Sequence, residues 1–135
     1  MKILIVEDDL ISRKFLSKFL SKYGECDITV DGIEAIDAFL LAWEDEEPYD
    51  LICLDIMMPK VDGIVALKTI RSLEIEKGIP QNQRVKIIMT TALNDTKNVH
   101  EAFQIGCEGY AAKPIDTNRL IEVLEKLKLI DEKKK

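Results

Sequence analysis

A small set of reactive side chains stands at the C-terminal ends of short apolar runs. Glu7 and Asp8 follow Ile3 to Val6, Asp55 follows Leu51 to Leu54, Thr91 follows Val85 to Thr90, and Lys113 follows Gly109 to Ala112. If the runs are parallel strands, right-handed crossovers bring these ends to one sheet edge, where such folds bind their ligands. Carboxylates converging there repel one another unless a cation neutralises them. All-oxygen donors favour Mg²⁺, which takes one or two carboxylates, keeps waters and accepts a backbone carbonyl or a phosphate oxygen. With metal charge beside it, Asp55 can serve as an oxygen nucleophile toward a phosphorylated donor, since aspartyl phosphates are an established covalent intermediate. A Thr91 hydroxyl and a Lys113 ammonium are the groups that would hold the remaining phosphoryl oxygens.

Each residue taken singly has a plainer explanation. Glu7, Asp8 and Asp9 could cap the following helix, which suits Asp9 well and leaves Glu7 and Asp8 less explained. Asp55 could cap a turn, a reading of equal weight when it is considered alone. Thr91 fits a strand by propensity alone, and a lone lysine is most often a surface lysine. Their coincidence at strand ends outweighs these separate accounts.

The elements that must position them alternate regularly. Short runs at Ile3 to Val6, Asp27 to Val30, Leu51 to Leu54, Val85 to Thr90 and Gly109 to Ala112 alternate with longer segments of helical period. Helical spacing joins Ile11, Phe15, Phe19 and Leu20 after Asp9, then Ile33, Ile36, Phe39 and Leu40 after Asp31 and Gly32. Further helices are expected from about Asp62 through Leu73, from about Asn94 to Gly106, and from Asp116 through Leu127. This is a βα repeat: an α/β doubly wound parallel sheet of five strands with five flanking helices on its two faces. Residues 74–84 are polar and hold Gly78 and Pro80, so they read as a helix end followed by a loop.

The chain has 135 residues, 47% of them hydrophobic and 33% charged, which suits one globular domain. A net charge of −6 disfavours direct DNA binding by bulk electrostatics. The three cysteines, Cys26, Cys53 and Cys107, lack metal-ligand spacing and read as buried reduced thiols, and a single His100 builds no histidine site. The N-terminal apolar run is too short for a signal peptide or membrane span, so a cytoplasmic protein with no membrane association is expected. The expected organisation is one domain over 1–130 and a short charged tail over 131–135, with no output domain.

The fragments ILIVEDD at 3–9, DGIEA at 31–35, YDLICLDIMMPKVDG at 49–63, MTTA at 89–92 and GYAAKPID at 109–116 together resemble the receiver domains of response regulators, the CheY-like family of two-component signalling. The resemblance spans nearly the whole chain. It implies the flavodoxin-like strand order 2-1-3-4-5. It implies that Asp55 is the phosphoacceptor, that Glu7 and Asp8 are the acidic pair with Asp8 the direct metal ligand, and that Met57 lends a backbone carbonyl to Mg²⁺, for which Mn²⁺ could substitute. Glu7 stands where the family often has Asp, and would reach the metal through water. Thr91 and Lys113 match the family's hydroxyl and lysine, Lys113-Pro114 its cis peptide, and Tyr110 the aromatic whose rotamer follows Thr91. Met57 and Leu93 flank the phosphoryl position with apolar side chains, which implies slow phosphate loss.

The implied cycle begins with a histidine kinase, a phosphohistidine protein or a small acyl phosphate as donor. It ends with an altered face on helix four, strand five and helix five that binds a downstream protein not identifiable from sequence. The implied assembly is a monomer or a phosphorylation-dependent dimer, and the implied role is a signalling switch whose only catalysis is its own phosphorylation and dephosphorylation. Two rivals share the fold. An aspartyl-nucleophile hydrolase would need a substrate pocket and a cap, for which there is little spare length. A flavin-binding module would need a Gly-rich phosphate loop, which is missing from the sequence.

Overall fold

The computed structural model describes residues 1–58, 60–92 and 94–131. Its strands are β1 (Lys2–Val6), β2 (Glu25–Thr29), β3 (Leu51–Asp55), β4 (Lys86–Ala92) and β5 (Gly109–Lys113). Its helices are α1 (Leu10–Leu20), α2 (Gly32–Glu44), α3 (Gly63–Glu76), α4 (Thr96–Ile105) and α5 (Thr117–Lys126), with one 3₁₀ turn at Gln81–Gln83. All strand pairings are parallel, in the order β2-β1-β3-β4-β5. This is the doubly wound order that the family resemblance implied.

The continuous apolar runs of β1 and β3 supply both faces of the sheet, because successive side chains point to opposite sides. Leu4, Val6, Ile52 and Leu54 pack with Phe39 of α2, Leu67 and Ile70 of α3 and Ala102 of α4. Ile3, Ile5, Leu51 and Cys53 pack on the other face with Leu16, Phe19 and Leu20 of α1 and Leu120 and Leu124 of α5. Each large aliphatic residue buried in this way stabilises the fold by about 1.5–3 kcal/mol. The outer strands are thinner in apolar content: β2 is largely exposed and Tyr110 of β5 faces solvent.

Several elements differ from expectation. Strand β2 begins at Glu25, which pairs with Lys2, and stops before Val30. Strand β4 runs on to Ala92, so Thr91 lies within a paired strand, as do Asp55 and Lys113 at the ends of theirs. On α1 the stripe against the sheet is Leu16, Phe19 and Leu20, whereas Ile11 is 79% exposed and Phe15 39%. A 3.6-residue period fixes the width of an apolar stripe but not which flank of it meets the neighbouring layer.

The segment 74–84 is also more structured than its polarity suggests. Helix α3 continues to Glu76, and Glu74 and Ile79 are buried. Arg71 explains this. Its guanidinium donates to Glu74 (2.6 Å), to the Val85 carbonyl (2.9 Å), to the Gly106 carbonyl (3.0 Å) and, in a fork, to both oxygens of Glu108 (2.7 and 2.9 Å). Glu74 and Glu108 accept in turn from the Val85 and Ile87 backbone N–H groups. Bidentate charge-assisted bonds of this kind are the stronger ones in proteins. They clasp α3, the end of α4 and the starts of β4 and β5 at the sheet edge opposite Asp55. Burial raises the Glu108 carboxyl above its usual range, with the Arg71 charge opposing the shift.

Candidate metal and phosphoryl site

Parallel pairing brings Glu7, Asp55, Thr91 and Lys113 to one rim. Glu7 and Asp55 are almost fully buried and Asp8 is exposed, yet one carboxylate oxygen from each lies within 4.8 Å of the others. Asp9 caps α1 by accepting from the Ser12 N–H at 2.9 Å, as the sequence suggested, which leaves Glu7 and Asp8 for another task. The Glu7 side chain turns inward. Its Oε1 contacts the Lys113 ammonium, its Oε2 accepts weakly from the Asp9 N–H at 3.3 Å, and Lys113 Nζ also lies 3.3 Å from Asp55 Oδ2.

The electrostatics follow from this crowding. Burial, then the hydrogen bond and charge of Glu7, push the Asp55 carboxyl up to about 7, with Lys113 opposing. Burial pulls the Lys113 ammonium down, but Glu7 and Asp55 outweigh it and hold it above its ordinary value. One ammonium for three acidic groups leaves a deficit of positive charge among all-oxygen donors, which suits a hard divalent cation.

The loop after β3 is held by short-range contacts. The Met57 N–H donates to Asp55 Oδ1 at 3.3 Å, while its side chain is 65% exposed at the mouth of the site. Lys60 reaches back to the buried Asp31 at 3.5 Å, tying this loop to the start of α2. Gly63 opens α3 against the Asp55 backbone: a Cβ there would lie 2.2 Å from the Asp55 carbonyl oxygen. The peptide Lys113-Pro114 is cis. Leu93 lies outside the described residues, as do Pro59 and residues 132–135 of the tail.

Thr91 is at the rim, buried near the end of β4. Its hydroxyl donates to Asp95 Oδ2 at 3.2 Å. Tyr110 is 45% exposed and meets the Phe103 ring edge-on at 6.1 Å between centroids. Between α4, β5 and α5 lies an open groove of ≈1200 Å³ whose lining includes Thr91, Asp95, Phe103, Tyr110, Lys113 and Asn118. Asp95 and the Arg71 clasp were not singled out in the sequence. A weak signal for Asp95 was its spacing of four residues from Thr91 at the start of a helix.

A family model described as the response regulator receiver domain matches residues 3–125. The chain belongs to this family. Among curated relatives of the receiver, a probable histidine kinase 2 of rice is 34% identical over 134 residues, and the chemotaxis protein CheY of Treponema pallidum 30% over 123. These alignments cover 92% and 90% of this chain. The chain spans 12% of the rice kinase and 78% of CheY. A solved receiver domain of a Saccharomyces cerevisiae response regulator, in complex with a histidine phosphotransfer signalling protein, is 29% identical with a TM-score of 0.80, covering 98% of this chain and 93% of that one. The receiver domain of an Arabidopsis thaliana histidine kinase, complexed with Mg²⁺ and BeF₃⁻, is 28% identical with a TM-score of 0.79, covering 94% and 89%. The protein is thus a receiver domain of two-component signalling, a family of signalling switches. None of its described helices is long and apolar enough to cross a membrane.

Proposed function

We propose that this receiver accepts a phosphoryl group on Asp55, with Glu7, Asp8, Asp55 and the Met57 carbonyl as the donors for Mg²⁺ or Mn²⁺. The observation that carries this reading is the convergence of three carboxylates within 4.8 Å beside one ammonium shared by two of them. The Mg²⁺ complexes among its structural neighbours support the choice of ion. Bound at this rim, the cation supplies charge neutralisation for the carboxylates and for the incoming phosphoryl oxygens.

The chain's own groups then have distinct tasks. An Asp55 carboxylate oxygen attacks phosphorus in a phosphohistidine or acyl phosphate; the new O–P bond forms as the P–N or P–O bond to the donor breaks, and the donor leaves with that electron pair. The Lys113 ammonium exchanges its contact with Asp55 for one with a phosphoryl oxygen. The Thr91 hydroxyl donates to another, and Tyr110 moves with it. The added charge and acceptor oxygens bias an equilibrium between two arrangements of the rim. The altered α4-β5-α5 face is then read by a downstream protein, or pairs two copies of the domain.

The donor in this scheme is a histidine kinase or a phosphotransfer protein, a choice supported by the neighbouring receiver complexed with such a protein. The receiver unit occupies 1–130, works in the cytoplasm and binds no DNA directly. Incubation with acetyl phosphate and Mg²⁺, followed by intact-mass measurement, tests the assignment: the mass of one phosphoryl group is gained by the wild type and not by Asp55→Asn. Gain of that mass by both proteins would place the phosphate elsewhere.

A further inference from the structure

Helices α1 to α5 each follow an aspartate at the capping position: Asp9, Asp31, Asp62, Asp95 and Asp116. Four of these side chains accept from a backbone N–H of their own first turn, at Ser12, Glu34, Val65 and Asn118. Asp95 does not cap α4. Its carboxylate is spent on the Thr91 hydroxyl (3.2 Å) and on the Asn98 side-chain amide (3.1 and 3.0 Å).

The backbone records the same diversion. Asp95 has ψ of 61°, against 116° to 173° at the other four caps. The opening bond of α4, from the Val99 N–H to the Asp95 carbonyl, is 3.3 Å, whereas the corresponding bonds of the other helices are 2.9 to 3.0 Å. The first turn of α4 is therefore the one whose capping aspartate is engaged elsewhere, and its partner is the hydroxyl placed at the phosphoryl rim.

We propose that Asp95 is a positioning residue: it holds the Thr91 hydroxyl away from Asp55 in the resting protein, and on losing that hydroxyl it turns to cap α4. The trigger rests on the phosphorylation of Asp55 proposed above. When Thr91 donates to the phosphoryl group instead, Asp95 is left with the Asn98 side-chain amide alone, which it exchanges for the Lys97 and Asn98 N–H groups as its backbone relaxes to the extended conformation of the other caps. A ligand shifts an equilibrium only through contacts that differ between the two states. Here those contacts are the Thr91–Asp95 bond in one state and the phosphoryl and capping bonds in the other. The start of α4 then tightens as a direct consequence of chemistry at Asp55.

The decisive experiment uses the unmodified protein. Thr91→Val removes the hydroxyl at similar volume, and amide exchange measured by NMR reads the first turn of α4. Exchange at Lys97 and Asn98 is expected to slow about fivefold relative to wild type, the factor a typical capping bond represents. Thr91→Ser, which keeps the hydroxyl, should retain wild-type rates, and Asp95→Ala combined with Thr91→Val should abolish the slowing. Thr91→Ala serves as the second variant if valine destabilises the rim. Unchanged exchange in the folded Thr91→Val and Thr91→Ala proteins would overturn the proposal. Wild type treated with acetyl phosphate and Mg²⁺ should show the same slowing. If its mass shows a phosphoryl group while those amides stay fast, the latch fails and the phosphorylation stands. If no phosphoryl group is gained, the phosphorylation fails and the valine comparison still decides the latch.

Discussion

Lowering the pH should weaken Mg²⁺ binding at this rim by a predictable factor. The Asp55 carboxyl retains a proton, its value pushed up to about 7 by burial and by the hydrogen bond and charge of Glu7. A cation that takes Asp55 as a ligand must displace that proton, so its apparent affinity tracks the deprotonated fraction. That fraction is about one eleventh at about pH 6 and about ten elevenths at about pH 8, a tenfold change worth about 1.4 kcal/mol. The sign for the metal-free fold is opposite. A carboxyl whose folded value is raised stabilises the fold at low pH, and that contribution is lost as the pH rises through about 7. Mg²⁺ should therefore raise the melting temperature more at about pH 8 than at about pH 6. Calorimetric titrations at the two pH values measure the affinity step directly, with Asp55→Asn as the control that loses it. An affinity that changes less than about twofold, or an equal step in Asp55→Asn, would refute the placement of the proton on Asp55.

Removing the Arg71 guanidinium with Arg71→Met should cost about 3–5 kcal/mol in urea unfolding, because Glu74 and Glu108 are left facing one another without their cation. Adding Glu74→Gln to that variant should recover part of the loss, whereas strict additivity would show that the clasp does not act as a unit. The exposed Met57 thioether at the mouth of the site offers no strong donor or acceptor to orient water, so Met57→Asn should shorten the lifetime of the phosphorylated protein on the order of tenfold. Timed intact-mass spectra after removal of acetyl phosphate check this, and an unchanged lifetime would count against it.

The sheet was legible in the sequence because β1 and β3 carry unbroken aliphatic runs that only a strand covered on both faces requires. The rim was legible for a related reason: Glu7, Asp55, Thr91 and Lys113 all fall at the ends of short apolar runs, a coincidence that separate capping and propensity accounts do not explain. What escaped were interactions between residues distant in sequence. Arg71 and Glu108 are 37 positions apart, and nothing in the polar stretch 74–84 shows that Glu74 is turned inward. Ile11 and Phe15 have the right spacing for a core stripe, but only the docking angle of α1 decides which flank is covered. Asp95 was not singled out, because its diversion toward Thr91 depends on a backbone angle that composition does not encode.

The clasp around Arg71 also sets the mechanics of α4. By holding the Gly106 carbonyl, it fixes the last turn of a helix about 15 Å long, whose opposite end is tied to the rim through the Thr91–Asp95 bond in the scheme proposed above. A rearrangement begun at Asp95 would then swing α4 about a fulcrum at Gly106, with travel greatest beside Thr91 and falling toward zero at the far end. Spin labels at the two ends of the helix would report unequal displacements, and loosening the fulcrum would let the helix slide instead of tilt.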